Sequence, residues 1–195
     1  AAPAVLTISE SNPYNYGTLA SGASATMTFT VSNTGSVTAT SIAETGLAAP
    51  FAFTGGSYPG TSGTCTPTLA AGANCTIDLS YSPTATGAHT DTINLTYNDG
   101  AAAQSVTHDV QGTGAVPASL TISNGPTYDF GNVTSLGYET VTLTITNSGG
   151  VAASSLSGSG LSGSFSFVGG GYPGTGGDCG GSLAAAASCD VVVKF

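Results

Sequence analysis

Histidines and carboxylates are the side chains of this sequence that could support acid–base chemistry. The chain has two histidines, His89 and His108, and each lies close in sequence to an aspartate, Asp91 or Asp109. A histidine held beside a carboxylate can act as a general base. Because adjacent residues of a strand point to opposite faces, only His89 and Asp91 could share one. No activated nucleophile such as a Gly-x-Ser-x-Gly elbow accompanies them, so we predict ordinary strand-surface histidines and no enzyme.

Glycine patterns and scattered carboxylates suggest cofactor and metal sites only superficially. Two Gly-x-Gly-x-x-Gly patterns lie at Gly158-Gly160-Gly163 and Gly169-Gly171-Gly174. A dinucleotide site needs such glycines between a strand and a helix N-terminus, and no helical period follows either pattern. The ten carboxylates are spread along the chain without the close spacing of a calcium loop. We therefore predict no cofactor and no metal.

A repeated loop carries the best candidate for a binding site. Gly-Gly-Ser-Tyr-Pro-Gly-Thr around Tyr58 recurs as Gly-Gly-Gly-Tyr-Pro-Gly-Thr around Tyr172. A loop tyrosine offers a flat apolar ring with a polar tip, which suits a sugar or a partner protein. The alternative is structural, with both tyrosines folded back over the end of a sandwich. We favour the structural interpretation and keep Tyr58 and Tyr172 as the candidate binding loop.

Four cysteines occur as two pairs at the same spacing, Cys65 with Cys75 and Cys179 with Cys189. The repeated spacing predicts one local disulfide in each half of the chain, and disulfides form in oxidising compartments. Buried free thiols remain an alternative. A tetrahedral zinc site is disfavoured because it needs four ligands and the second half of the chain has no histidine.

The charge balance excludes several classes of partner. Lys194 is the only basic residue against ten carboxylates, which leaves a net charge of −9. A protein without a cationic patch cannot displace the counterions of nucleic acid or bind an anionic membrane surface strongly. No segment approaches the roughly 20 consecutive apolar residues of a spanning helix. We therefore predict no nucleic-acid binding and no membrane insertion.

The elements that must position all these residues are β-strands. Apolar residues alternate with Thr, Ser and Asn over many short segments, as in Met27, Phe29 and Val31. A period of two is typical of half-buried strands. Turn-forming triplets such as Asn33-Thr34-Gly35 and Asn98-Asp99-Gly100 separate the segments. The pattern predicts an all-β fold, and about seven strands in a unit of this size favour an antiparallel sandwich.

An internal repeat with an offset of 114 residues organises the chain. Leu6-Thr7-Ile8-Ser9 recurs as Leu120-Thr121-Ile122-Ser123, and the paired cysteines and tyrosine loops recur at the same offset without a gap. Repeats of this kind are separate packing units. We predict two tandem domains, residues 1–114 and residues 115–195, joined by a short Gly- and Pro-containing linker.

The second copy stops at Phe195, the equivalent of Tyr81. It therefore has no counterpart of residues 82–114, which hold two clear alternating strands. We expect the second sandwich to lack its last two strands within this chain. The 195 residues then correspond to a segment of a longer repeat array, or to a subunit that receives strands from a neighbour.

The order of the motifs resembles a known family. Each copy has an aromatic-Gly pair, an alternating strand ending in Asn-Thr-Gly or Asn-Ser-Gly, a Phe-x-Phe segment and the two cysteines. Together they resemble the Hydin-like (ASPM/SPD-2/Hydin type) immunoglobulin-like repeats, especially those of bacterial secreted "choice-of-anchor D" proteins. The resemblance implies a repeated, non-catalytic module of large surface or secreted proteins, and it brings no catalytic residues.

These observations favour a structural function. We expect a spacer segment of an extracellular bacterial stalk, fibre or filament, with neighbouring repeats or copies of itself as partners. Two alternatives remain open. One is a filament subunit completed by strands from a neighbour, and the other is an adhesin or carbohydrate-binding module that uses Tyr58 and Tyr172 to bind a cell-surface glycan or protein.

Overall fold

The computed structural model describes residues 1–195, the whole chain. The chain divides into two compact units, Ala1–Ala115 and Val116–Phe195, here called unit 1 and unit 2. The predicted all-β fold is confirmed, since the one helical element is a short 3-10 turn at Thr54–Gly56. The fold contains no helix of the length and apolar character that would cross a membrane.

Unit 1 is a sandwich of two four-stranded sheets. Its strands are β1 (Leu6–Ile8), β2 (Tyr14–Ala20), β3 (Ala25–Asn33), β4 (Thr40–Glu44), β5 (Phe51–Phe53), β6 (Asn74–Tyr81), β7 (Gly87–Asn98) and β8 (Ala103–Ala115). The first sheet has the order β1-β3-β6-β5 and carries Cys75, so we call it the disulfide sheet. The second has the order β2-β8-β7-β4 and is built around the long β7–β8 hairpin, so we call it the hairpin sheet.

The core of unit 1 lies between the disulfide sheet and the hairpin sheet. Alternate side chains of β3, β6, β7 and β8 enter it, as the period of two in the sequence requires. The fully buried set is Phe29, Val31, Ile77, Leu79, Tyr81, Ile93, Leu95 and Val110. Removing an apolar side chain of this size from water stabilises the fold by about 1.5–3 kcal/mol, so these residues supply much of the stability of unit 1.

One strand pair departs from the expected antiparallel pattern. β2 runs parallel to β8, and their ladder is interrupted between Asn15 and Thr18. Within this interruption Gly17 has a φ of 76°, and its N–H donates a hydrogen bond to Asn15 Oδ1 at 2.8 Å. A positive φ favours glycine, so the aromatic-Gly pair of the sequence marks a β-bulge. The bulge accompanies the placement of the Tyr16 ring 5.9 Å from the Phe51 ring across the core.

Unit 2 reproduces the disulfide sheet of unit 1. Its strands are β9 (Leu120–Ile122), β10 (Thr140–Asn147), β11 (Ala153–Ser154), β12 (Ser166–Phe167), β13 (Ser182–Leu183) and β14 (Ser188–Lys194). β9, β10, β14 and β12 form one four-stranded sheet, while β11 and β13 form a two-stranded sheet. The register is the same in both units: Ile145 faces Cys189 as Val31 faces Cys75. The internal repeat is therefore also a structural repeat.

Unit 2 has no counterpart of the hairpin sheet. The equivalents of β7 and β8 would follow Phe195, and the segment equivalent to β2, residues 128–134, forms no strand. In unit 1, β2 pairs with β8 and β4 pairs with β7, so without the hairpin neither of their counterparts has a ladder to join. The loss is thus larger than the two strands expected from the sequence.

Candidate functional site

His89 contributes a hydrogen bond to the core of unit 1. The side chain lies on β7, and its Nδ1 is 2.9 Å from the Tyr81 hydroxyl. Tyr81 is fully buried, and burial raises the pKa of its hydroxyl. A Cβ added at Gly112 would lie 2.5 Å from the Tyr81 ring, so the backbone of β8 packs directly on this tyrosine. This arrangement gives His89 a structural role beside an inaccessible phenol.

The prediction of a strand-surface position was wrong for His108. Its side chain is 3% exposed and packs edge-on against Phe29 with the ring centroids 5.3 Å apart. Its Nε2 has no hydrogen-bond partner. Desolvation lowers the pKa of His108, opposed more weakly by hydrogen bonding with the Ser11 backbone and by nearby carboxylates. The alternation of β8 points this imidazole inward, where it is held neutral.

Acidification is expected to destabilise unit 1 through His108. The folded state has the lowered pKa, so below the ordinary value of about 6.5 the unfolded chain binds a proton that the folded chain does not. The free energy of unfolding should therefore fall as the pH drops from 7.5 to 5.5. Denaturant unfolding of the His108→Phe variant, which keeps the aromatic packing, should show a flatter pH dependence. A His89→Gln variant should retain the slope, and an unchanged slope in His108→Phe would contradict the assignment.

Two aspartates expected at the solvated surface are buried instead. Asp78 accepts hydrogen bonds from Thr28 Oγ1 at 2.6 Å and from the Ser62 N–H at 3.1 Å. Asp99 is held in a turn after β7, where the N–H groups of Ala102 and Ala101 lower the pKa of its carboxyl. These carboxylates organise loops and turns. The interpretation as surface charge was wrong for both.

The two carboxylates closest to the histidines in sequence also make local structural bonds. Asp91 accepts a hydrogen bond from the Ala48 N–H at 2.8 Å, and Asp109 accepts one from Thr92 Oγ1 at 2.7 Å. Nowhere do three His, Cys, Asp or Glu side chains come together in a group that could hold a metal ion.

The tyrosines of the repeated loop pack onto their own units. The Tyr58 ring lies edge-on to Phe53 with centroids 5.5 Å apart, and Tyr172 lies in the same way on Phe167 at 5.6 Å. The Tyr58 hydroxyl is buried without a hydrogen-bond partner, and desolvation raises its pKa to about 12. Tyr172 differs, since its hydroxyl donates at 3.5 Å to the Gly180 carbonyl. This geometry favours the structural interpretation of the loops.

Removing the Tyr58 hydroxyl is expected to leave unit 1 equally stable or more stable. Because this hydroxyl is desolvated without a partner, Tyr58→Phe should change the free energy of unfolding by zero to about +1 kcal/mol. Tyr58→Ala, which also removes the packing on Phe53, should lower it by about 1–3 kcal/mol. Denaturant unfolding measures both values. A clear loss of stability in Tyr58→Phe, with none in Tyr172→Phe, would show an unrecognised hydrogen bond.

Both predicted cysteine pairs are disulfides. Cys65–Cys75 and Cys179–Cys189 each close a sequence separation of 10 residues, with Cα atoms 4.8 and 4.9 Å apart. In unit 1 the bridge ties the loop before β6 to the strand itself, and the N–H of Cys65 also donates to the Thr76 carbonyl at 3.1 Å. The bridges are typical of a protein folded in an oxidising compartment.

An asparagine that the sequence assigned only to a turn is the most highly connected polar side chain of each unit. Asn33 is 1% exposed and Asn147 is 0% exposed. Asn33 Oδ1 accepts hydrogen bonds from backbone N–H groups, and Nδ2 donates to backbone carbonyls; the partners are Val5, Gly35, Val37, Leu69 and Ala70. Asn147 makes the equivalent bonds to Ser119, Gly149, Val151, Leu183 and Ala184. The signal in the sequence was Asn-x-Gly at the same place in both copies.

Unit 2 presents the inner surface of its sheet to solvent. We define the open face of unit 2 by six residues of β9, β10 and β14: Leu120, Ile122, Leu143, Ile145, Val191 and Val193. They line a groove of about 450 Å³ whose remaining walls contain no charged side chain. Both glycine patterns lie beside this groove or in the tyrosine loop, without a following helix. The open face is the largest exposed apolar feature that the fold offers to a partner.

Comparison with known families places the sandwich among immunoglobulin-like domains. Residues 7–113 match the family model described as HYDIN/CFA65/VesB-like, Ig-like domain. The match covers nearly all of unit 1. No curated protein matches the sequence.

Solved structures show distant similarity. The VesB protease of Vibrio cholerae is 20% identical with a TM-score of 0.46, covering 55% of this chain and 31% of that one. A protein of unknown function from Porphyromonas gingivalis W83 is 11% identical with a TM-score of 0.44, covering 97% and 82%. The ASH/PapD-like domain 7 of human CEP192 is 12% identical with a TM-score of 0.40, covering 57% and 86%. The chain thus spans less than a third of VesB.

Proposed function

Because the chain belongs to the HYDIN/CFA65/VesB-like family of Ig-like domains, we propose that it is a non-catalytic spacer segment of an extracellular bacterial stalk, fibre or filament. The finer assignment to the "choice-of-anchor D" type of surface protein is part of this proposal. The observation that carries it is the copying of one architectural set in both halves: sheet register, disulfide, buried asparagine and packed tyrosine loop. What is repeated is the means of holding a sandwich together.

The side chains that could react support the same proposal. His89 and Tyr81 bond to each other, and His108 lies in the core with no group to activate. Asp78 and Asp99 are occupied by loop and turn hydrogen bonds. A polar group committed to holding backbone in place is not available to a substrate, so chemistry in this segment would need residues other than these.

Surface labelling and repeat deletion test the spacer proposal. Antibodies raised against the chain should label intact cells that produce the protein, without permeabilisation. Deleting one repeat from the full-length protein should shorten the projecting structure and leave the activity at its tip unchanged. Labelling that requires permeabilised cells, or a deletion that abolishes attachment to a target without altering length, would contradict the spacer function.

A binding function of the tyrosine loops is the weaker alternative. The packing of Tyr58 on Phe53 leaves its hydroxyl buried, which does not favour contact with a sugar or protein through that group. Strand donation from a neighbour is the stronger alternative, because the open face of unit 2 gives such strands a place to lie.

A further inference from the structure

We propose that the open face of unit 2 is the docking site for a β-hairpin of the β7–β8 pattern, presented by a partner polypeptide. The hairpin would lie over the sheet formed by β9, β10, β14 and β12 and supply the missing second layer of the sandwich. This interaction goes beyond the spacer function, which would hold whether or not the open face is occupied.

The first argument is that the covered equivalent of the open face is visible in unit 1. β3 and β6 pair in the same register as β10 and β14, and β1 pairs with β3 as β9 pairs with β10. The apolar residues that face the core in one unit therefore occupy the same places in the other. In unit 1 these residues are covered by the hairpin sheet. A surface of identical layout needs a cover of the same kind.

The second argument is the change in exposure at matched positions. Leu6 on β1 is 3% exposed, whereas its equivalent Leu120 is 44% exposed. Phe51 on β5 is 1% exposed, whereas its equivalent Phe165 is 42% exposed. Covering such residues at about 25 cal/mol per Å² of apolar area is a substantial driving force for association.

The third argument concerns the chemistry of the occupant. In unit 1 the disulfide sheet contacts the hairpin through apolar residues of alternating strands, with Ile93, Leu95 and Val110 fully buried. The backbone of Gly112 packs on the Tyr81 ring, and Phe195 is the equivalent of Tyr81 in unit 2. The occupant should therefore alternate apolar and polar residues on both strands and carry glycine opposite Phe195. The absence of charge in the groove requires the inward residues to be neutral.

The hairpin of a second copy is not the occupant that we assign. Its β7–β8 hairpin is already buried in its own unit 1, where β7 pairs with β8 over its whole length and also with β4. Release would require that unit to open. Direct contact between the open faces of two copies is the competing arrangement, and the test below distinguishes it.

A synthetic peptide of residues 82–115 is the probe for this site. Added to the full 195-residue chain, it should bind at one per chain and slow hydrogen exchange in β9, β10 and β14. A control peptide with Ile93→Thr, Leu95→Thr and Val110→Thr keeps the length and charge and should bind at least tenfold more weakly. Equal binding of both peptides, or protection outside the open face, would overturn the proposal.

A linked variant keeps the proposal falsifiable if the free peptide aggregates. Residues 82–114 are appended directly after Phe195, where the repeat offset places them. The expected result is a higher melting temperature for unit 2, at least tenfold slower exchange in β9 and loss of peptide binding. An appended segment that exchanges as an unfolded chain would refute the docking site. So would an unmodified chain that sediments as a dimer with the open face already protected. Neither result would affect the surface-labelling test of the spacer function.

Discussion

Replacing Asn33 with alanine is expected to lower the free energy of unfolding of unit 1 by about 3–5 kcal/mol. The change removes a buried side chain that bonds to five backbone groups, among them the N–H of Val5 and the carbonyl of Leu69. Those groups would be left in the protein interior without this partner. Asn33→Asp should be at least as damaging, because it places a carboxylate oxygen where the amide donates to carbonyls. Hydrogen exchange of β3 and β6, followed through a denaturant series, measures the loss.

The control for this prediction is a second asparagine that also precedes a glycine turn. Asn15 is exposed, and its Oδ1 accepts one hydrogen bond, from the Gly17 N–H. Asn15→Ala should cost about 0.5–1 kcal/mol. Asn147→Ala should repeat the large effect in β10 and β14 while leaving unit 1 unchanged. A cost for Asn33→Ala no greater than that for Asn15→Ala would show that the five bonds do not stabilise the fold.

Removing the disulfide of unit 1 with the double variant Cys65→Ala, Cys75→Ala is expected to lower its free energy of unfolding by about 3 kcal/mol. The estimate follows from the loop-closure entropy that a bridge across a separation of 10 residues removes from the unfolded chain. Changing both cysteines avoids a free thiol. The measurement is denaturant unfolding of the oxidised protein beside the variant, with chemically reduced protein as a third sample.

The control for the disulfide is the other clip on the same loop. Thr64 and Thr76 join the loop to β6 through side-chain oxygens 3.1 Å apart at an exposed position. The double variant Thr64→Ala, Thr76→Ala should cost about 1 kcal/mol or less. In unit 2, Cys179→Ala with Cys189→Ala should match the effect of the first cysteine pair, because the separation is the same. Loss of under about 1 kcal/mol in either cysteine variant would show that chain entropy is not the source of the stabilisation.

The sequence was sufficient for features that depend on local spacing. The period of two identified the strands, and the repeat offset identified equivalent residues in the two copies, down to the register of Val31 with Cys75 and Ile145 with Cys189. The disulfide pairs followed from the same regularity. These features are encoded by residues near each other in the chain or repeated at one offset.

Features that depend on the path of distant segments could not be predicted. Asn33 owes its role to carbonyls of residues 69 and 70, which lie in a loop that has no periodic signal. Asp78 occupies an outward strand position, yet the loop containing Ser62 folds over it. His108 points inward because of the register of β8. Burial is a property of the assembled sheets, and the alternation of a single strand does not say which alternate face is covered.

The pairing of β2 with β8 has a consequence for the time course of folding. Tyr14, near the start of unit 1, lies beside Val110, near its end, so this ladder joins residues that are almost a full domain apart in the chain. Contacts between such distant residues form slowly, because a long loop must close before they gain any stabilisation. A ribosome must therefore release almost all of the first 115 residues before the second sheet can be completed, and until then the nascent chain carries an unfinished edge.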